Sequence, residues 1–323
     1  MSIDSIRNVC LLGGTGFVGH HIIRRLIDRG LKVRVLSRRP HRHRDLLVNP
    51  EVDLVEGSAH DPATLERLFA GQDAVINLVG ILNERGHSGA GFHAAHTELT
   101  EKALAAAESQ GVRRFLQMSA LKADMDDAPS HYLRSKGAAE QAVFASESLA
   151  VTVFRPSVIF GPEDSFLNRF VTLLKFSPVM PLARARARFA PVFVGDVAEH
   201  FVEALEDQDT FGQGFELCGP KTYTLGDLVR YVGRVSGHRR PVIGLPDWAG
   251  KLQASVLEFV PGKPLSRDNF ASLTIDSVCD GEQQLPCPTR LESIAPSYLG
   301  GGGAGREARM QHLRTLNRGA SRG

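Results

Sequence analysis

Val9-Cys-Leu-Leu-Gly-Gly-Thr-Gly-Phe-Val-Gly19 decides the fold of this chain. An apolar run ends in Gly13, Gly16 and Gly19, and an amphipathic stretch, His20 to Asp28, follows at once. Strand, glycine turn and helix in that order make a glycine triplet read as a dinucleotide-binding turn. Gly13 permits the tight turn, Gly16 lets the backbone approach a pyrophosphate with no Cβ between, and Gly19 lets the helix pack close to the strand. Free N–H groups around Thr15, Phe17 and Val18, with the helix dipole, then face the phosphates.

Outward from this turn, strands and helices alternate. Lys32–Leu36 reads as the second strand and Val52–Glu56 as the third. Asp61-Pro62 opens a short helix ending near Ala70, because Asp caps and Pro suits the first helical position. Ala74–Leu78 is a fourth strand, His93–Ser109 an Ala-rich helix closed by Gly111, Arg114–Met118 a fifth strand, Ser135–Ser148 the core of a long helix, and Val151–Phe154 a sixth strand. This succession implies an α/β fold, a doubly wound parallel sheet of the NAD(P)-binding Rossmann type with helices on both faces. Ligands then sit at the carboxyl ends of the strands, which brings Ser37, Asn77, Leu78, Val79, Gly80 and Ser119 to one edge. Beyond Gly161-Pro162 the alternation breaks, with prolines at 178, 181, 191, 220, 241 and 246. We expect a Rossmann domain over 1–163 and a smaller substrate-side lobe over 164–299, with strands near Phe193 and at Phe215–Leu217 returning to the main sheet. A tail over 300–323, rich in Gly and Arg, is expected to be disordered.

Bulk properties narrow the class. The chain has 323 residues, 42% apolar and 23% charged, enough for a real core. A formal charge of +2 gives no argument for nucleic acid as a partner. Cys10, Cys218, Cys279 and Cys287 are scattered without zinc-ligand spacing, so no metal is expected and a reduced, cytoplasmic setting is the simplest reading. Residues 1–8 lack a signal-peptide core, and no run approaches the ~18 apolar residues of a membrane span. Peripheral docking on a membrane complex stays open.

The end of the second strand speaks to the nucleotide. NAD-selective sites place a carboxylate there, about 20 residues past the glycines. This chain has Ser37-Arg38-Arg39 instead, a hydroxyl and guanidinium groups suited to a 2′-phosphate, so NADP is expected over NAD. His41, Arg42, His43 and Arg44 read as a solvated basic loop. Asp61 either meets the adenine amino group or only caps its helix.

A second signal is Tyr132-Leu-Arg-Ser-Lys136, with Ser119 thirteen residues before the tyrosine. Tyr and Lys four apart share a helix face. An ammonium beside a phenol favours the phenolate, which makes tyrosine a usable acid/base. Lys136 can also hold the nicotinamide ribose, and Ser119 can hydrogen-bond a carbonyl or alcohol oxygen. Together they suit hydride transfer.

With these motifs in order, followed by Phe154-Arg-Pro-Ser-Val-Ile-Phe-Gly-Pro162 and Pro191-Val-Phe-Val-Gly-Asp-Val-Ala198, the chain resembles extended or atypical short-chain dehydrogenases/reductases over roughly residues 7 to 299. That resemblance implies that Pro156, Ser157 and Val158 pass beside the nicotinamide. Gly161-Pro-Glu-Asp-Ser-Phe-Leu-Asn-Arg-Phe170, Arg188–Asp196 and Pro288–Leu299 are similar to bacterial relatives of the nucleotide-binding accessory subunit of respiratory complex I. It implies either an NADP-dependent oxidoreductase acting on a small molecule (a carbonyl, an alcohol or a quinone-related compound) or a non-catalytic NADPH-holding assembly factor of a quinone-linked respiratory complex. A redox sensor and an NAD-dependent epimerase or dehydratase are further alternatives. Localisation is then cytoplasmic or peripheral at the inner membrane; oligomeric state is undetermined. His96, where many extended members carry Asn, Ser58 in place of a frequent Asp, and Gly300–Gly303 after Tyr298-Leu299 depart from the family pattern.

Other features have a sharp and a bland reading. His87, His93, His96 and His131 lack a carboxylate at ligand spacing. Arg184, Arg186 and Arg188 alternate as on a strand, either to hold an anion or as a solvated face. Trp248, Leu252, Val256, Leu257, Phe259 and Val260 form an apolar stripe whose default is core or subunit packing, against a lipophilic or membrane-facing groove. Asp164, Asn168 and Arg169 either support substrate or cap a helix beginning near Ser165.

Overall fold

The computed structural model describes residues 5–260, 263–281 and 283–300; residues 301–323 of the expected tail lie outside them. The strands are β1 Asn8–Leu12, β2 Lys32–Ser37, β3 Val52–Glu56, β4 Ala74–Asn77, β5 Arg114–Met118, β6 Ala150–Pro156, β7 Ile159–Phe160, β8 Met180–Leu182, β9 Arg188–Phe189, β10 Val192–Phe193, β11 Gln213–Cys218, β12 Tyr223–Thr224, β13 Val242–Gly244 and β14 Gln284–Pro286. The helices are α1 Phe17–Asp28, α2 Pro62–Phe69, α3 Ala90–Phe92, α4 Leu99–Ser109, α5 His131–Phe144, α6 Ser165–Phe176, α7 Val194–Glu203, α8 Leu225–Val235, α9 Asp247–Leu257, α10 Arg267–Ser272 and α11 Leu291–Leu299.

The chain forms two compact units, Met1–Arg155 with Val197–Glu216, and Pro156–Asp196 with Leu217–Gly323. In the first, the strands are ordered β11-β6-β5-β4-β1-β2-β3. β11, whose last two residues belong to the second unit, is also the neighbour of β14. Pairing is parallel from β3 through β6, with Val9 opposite both Val33 and Ala74, and Phe115 opposite Val75 and Val151. The order reverses between β1 and β4, which opens a crevice at their carboxyl ends. Cys10, Leu12, Leu65, Phe69, Leu99, Phe115 and Val153 form one core cluster of this unit. Cys10 is fully buried, which pushes its thiol well above the usual range and leaves it an inert packing group. Arg114 is fully buried in the same unit. Its guanidinium donates to the Ala204 and Ala150 carbonyls and to Thr152 and Thr210, pinning β5 and β6 to the returning segment.

In the second unit the core gathers Phe160, Leu167, Leu174, Leu228, Val232, Leu291 and Leu299. Three expectations are corrected here. The strand at Phe193 does not join the main sheet: β10 runs parallel to β7, Val192 opposite Ile159, as a separate pair. Phe215–Leu217 does lie in the main sheet, within β11. Arg184, Arg186 and Arg188 do not share a strand face. Arg184 has a φ of 49°, a left-handed turn conformation, and only Arg188 lies in a strand. Cys218 and Cys279 are joined by a disulfide, against the reading of four reduced cysteines; sequence spacing cannot show that the end of β11 and a loop 61 residues on meet.

Candidate functional site

The nucleotide turn is built as its glycines require. Gly13 adopts a φ of +77°, and a Cβ there would meet the Leu78 backbone at 3.1 Å. A Cβ on Gly19 would lie 2.3 Å from the Gly14 oxygen, so only glycine lets α1 start this close to β1. Gly16 is the N-cap of α1 without any side-chain cap, which leaves the first N–H groups, at Phe17, Val18 and Gly19, turned to the crevice edge.

At the end of β2, Ser37 is buried and its hydroxyl accepts from the Arg39 N–H at 3.2 Å. Thr15, Ser37, Arg38, Arg39, Arg42 and His43 line a cavity of about 410 Å³. Arg42 and His43 thus belong to the pocket wall rather than to a merely solvated loop. A short helical turn, residues 40–42, folds them back, and the basic run of the sequence was the signal for it. His43 also comes near His20 and Asp45, with ligand atoms within 4.8 Å of one another and His20 Nε2 at 3.4 Å from Asp45. Four neighbouring arginines, at 38, 39, 42 and 44, oppose a divalent cation there, and we read the group as a tether of the loop. Asp61 is the N-cap residue of α2, exposed, and accepts from the Thr64 hydroxyl at 2.5 Å, which holds its carboxyl below the usual range.

Beyond β4 the backbone is fixed by buried side chains. Asn77 Oδ1 accepts from the Val79 N–H, while its amide donates to Gln117 at 2.9 Å and Thr100 at 3.2 Å. Two residues on, the Ile81 N–H donates to His96 Nε2 at 3.0 Å. Gly80 sits between these anchors, where a Cβ would press on the Lys136 ammonium at 3.2 Å.

The helix expected from His93 begins as a π-helical stretch, His93–Glu98, before α4. Its wider turn carries His96, which is 1% exposed. Because Nε2 accepts from Ile81, Nδ1 carries the proton and donates to Ser135 Oγ at 2.8 Å; that hydroxyl donates to the Tyr132 carbonyl at 2.9 Å. Burial, and then the nearby Lys136, drive the imidazole down to about 2, so it is neutral. The position that departs from the family pattern is therefore a clamp between the loop after β4 and the first turn of α5. The sequence signal was a histidine on the apolar face of an Ala-rich helix.

Ser119, Tyr132 and Lys136 all belong to this first unit. α5 starts at His131, so Tyr132 and Lys136 share it as expected, and it is capped by Ser130, whose hydroxyl accepts from the Leu133 N–H. Tyr132 therefore lies in the first turn, edge-on to His96 at 5.5 Å and to Phe92 at 6.1 Å. Lys136 is 3% exposed and donates to the Met118 carbonyl at 3.0 Å and the Val79 carbonyl at 3.3 Å. Burial lowers it to about 8, with Glu140 one turn on acting against that. Glu140 is in turn bound by Arg155. The expected lowering of Tyr132 is not what these residues alone produce: burial raises its phenol to about 12, and the Lys136 ammonium donates to the Met118 and Val79 carbonyls. Ser119 Oγ is buried and has no hydrogen-bond partner among the described residues.

The residues fit a bound dinucleotide on these observations: a glycine turn that a Cβ would fill, free N–H groups at α1, a basic cavity at one end and an orphaned buried hydroxyl at the other. Pro156, Ser157 and Val158 fall in the second unit, where Ser157 Oγ donates to the Ser277 carbonyl at 2.7 Å. Asp164 there is the cap of α6. It accepts from the Leu167 N–H at 2.6 Å and from the Tyr298 hydroxyl at 2.7 Å, and Asn168 donates to its carbonyl. Arg169 donates to the Pro264 carbonyl. The capping alternative holds for Asp164, while Asn168 lies inside the helix and bonds back to the Asp164 carbonyl.

Comparison with known proteins agrees with this architecture. The NAD(P)H-binding family matches residues 13–173. A ceramide reductase of Caulobacter vibrioides is 33% identical over 80% of this chain and 79% of its own length. The mitochondrial NADH dehydrogenase [ubiquinone] 1 alpha subcomplex subunit 9 of Mus musculus is 31% identical over 88% of this chain and 78% of its own. The fold is similar to that of a dTDP-glucose 4,6-dehydratase from Streptomyces venezuelae, with a TM-score of 0.65 and 20% identity over 76% of this chain and 86% of that one. The chain is thus an NAD(P)-binding Rossmann protein of the oxidoreductase type, and it belongs to the short-chain dehydrogenase/reductase superfamily alongside the reductases and complex I subunits of that lineage.

Proposed function

We propose that this protein is an NADP(H)-dependent oxidoreductase acting on a carbonyl or alcohol, with quinone-related and lipophilic compounds as the substrate classes to test first. The observation that carries the reading is Ser119, Tyr132 and Lys136 standing behind a complete nucleotide turn in one unit. In it, Gly13, Thr15, Gly16, Phe17, Val18 and Gly19 hold the pyrophosphate, and Ser37, Arg38, Arg39, Arg42 and His43 hold a 2′-phosphate. Leu78, Val79 and Gly80 flank the nicotinamide side within the first unit. Pro156, Ser157 and Val158, given a cofactor role only by the family resemblance, belong to the second unit, which we assign to the substrate. Asp61 is assigned to the adenine edge.

The bound nicotinamide supplies or accepts the hydride. Ser119 Oγ donates to the substrate oxygen, which satisfies its unpartnered hydroxyl. Tyr132 Oη gives its proton to that oxygen in reduction and takes it back in oxidation. Lys136 would hold the ribose of a bound cofactor, and its ammonium would favour the Tyr132 phenolate. The test is NADPH oxidation by purified protein against a panel of carbonyl, quinone and long-chain keto compounds, with Tyr132→Phe beside wild type. Turnover that Tyr132→Phe leaves unchanged refutes the mechanism.

A second reading is favoured by the 31% identity to the mouse complex I subunit over 88% of this chain. In it the protein holds NADPH and associates with a respiratory complex from the cytoplasmic side of the inner membrane. Co-purification with such a complex, undisturbed in Tyr132→Phe/Lys136→Met, would support it over the first.

A further inference from the structure

Helix α9 is packed inside out. Its small residues face inward: Ala254 is fully buried, and a Cβ on Gly250 would lie 2.8 Å from the Phe270 ring and 3.1 Å from Ala183. Its large apolar residues face water instead. Trp248 is 72% exposed, Leu252 59%, Val256 58% and, just past the helix, Phe259 80%. These positions recur at i, i+4, i+8 and i+11, one stripe of roughly 16 Å along the axis. Of the default reading, core or subunit packing, the core half does not hold for Trp248, Leu252, Val256, Phe259 and Val260 among the described residues. Gln253 ties the helix to β8, donating to the Pro181 carbonyl at 2.8 Å and accepting from the Ala183 N–H at 3.2 Å. β8 pairs with β13, where Ile243 is 54% exposed opposite Pro181.

The segments that flank this helix carry an excess of positive charge. Residues 174–186 and 238–270 carry eight Lys or Arg against three Asp or Glu, in a chain whose formal charge is only +2. Of the three carboxylates, Asp247 is paired with Arg184, and Glu258 is buried against Arg267. An aromatic-rich apolar stripe flanked by cations fits an interface that is apolar at depth and anionic at its surface. A protein core would instead ask for matched polar partners at the rim.

We propose that α9 and the Phe259–Val260 turn dock this protein onto an anionic lipid bilayer, lying in the headgroup plane with Trp248, Leu252, Val256 and Phe259 inserted. Lys251, Lys175, Arg239 and Arg240 meet the headgroups.

Trp248 is the chain's single tryptophan, so its emission reports this contact directly. The experiment titrates the full chain with vesicles of phosphatidylcholine alone and of phosphatidylcholine with phosphatidylglycerol, reading emission wavelength and flotation. The expected result is a blue shift and flotation with the anionic vesicles, weakened by salt. Lys251→Gln should lower partitioning roughly fivefold. Leu252→Ser/Val256→Ser/Phe259→Ser should lose flotation while still binding NADPH as wild type does, which separates loss of docking from loss of fold. No shift and no flotation with either vesicle would overturn the proposal. So would equal flotation with neutral vesicles, or a blue shift that grows with protein concentration alone together with dimers in light scattering.

Discussion

At the end of β2, exposed Arg38, Arg39 and Arg42 surround an open cavity, with buried Ser37 as its floor. At the ends of β4 and β5, Ser119, Lys136 and His96 are buried, Tyr132 is half-buried, and the hydrogen bonds of His96 and Lys136 run to neutral groups, with Glu140 the charged neighbour of Lys136. One sheet edge thus carries two electrostatic plans. The first end attracts charge through solvent and is sensitive to salt. The second excludes water, so each polar group there has a strong and specific effect on its neighbour. Under the proposed function, binding energy would come from the first end and chemistry from the second.

That division can be broken by substitution. Tyr132→Phe should cut turnover by about 10²–10⁴-fold with NADPH affinity unchanged, measured by steady-state kinetics and nicotinamide fluorescence. A parallel loss of affinity would merge the two ends. Gly19→Ala drives a Cβ into the Gly14 carbonyl and should cost about 1–3 kcal/mol, read as a lower urea midpoint.

His96→Asn tests the neutral plan at the second end. Folded His96 stays unprotonated down to about 2, while the unfolded chain takes a proton near 6.5. Its contribution is therefore complete above pH 6.5 and declines as pH falls, at up to about 1.4 kcal/mol per pH unit. The variant should flatten that slope between pH 7.5 and 5 in urea unfolding. The smallest effect lies outside both ends. Burial acts to raise the Glu292 carboxyl, but hydrogen bonds from Lys221 and Tyr223 hold it at about 2. Its depressed value contributes stability above about pH 4.5 that is lost as pH falls toward 2, and Glu292→Gln should remove only that acid limb.

Legibility in the sequence follows the same divide. The glycine turn, the parallel strands and the Tyr132/Lys136 spacing are local patterns, and a reader of the chain finds them with their neighbours attached. The clamp from Ile81 through His96 and Ser135 to Tyr132 joins three segments, and no local pattern announces it. Arg42 and His43 were visible as charge but not as pocket wall, because their placement depends on a helical turn of three residues. In the second unit, short strands such as β10 and a left-handed Arg184 broke the period-two reasoning applied to Arg184–Arg188. The stripe on α9 was legible as apolar, but which face it took depended on Gly250 and Ala254 meeting Phe270 and Ala183.

The most direct test of the central claim is a titration of wild type and Arg38→Ala with NADPH and NADH, read by nicotinamide fluorescence at two salt concentrations. Wild type should prefer NADPH. Arg38→Ala should weaken NADPH roughly tenfold to hundredfold while leaving NADH unchanged, as loss of a charge-assisted contact requires. Equal affinity of wild type for both nucleotides, or equal weakening of both by the substitution, would contradict it.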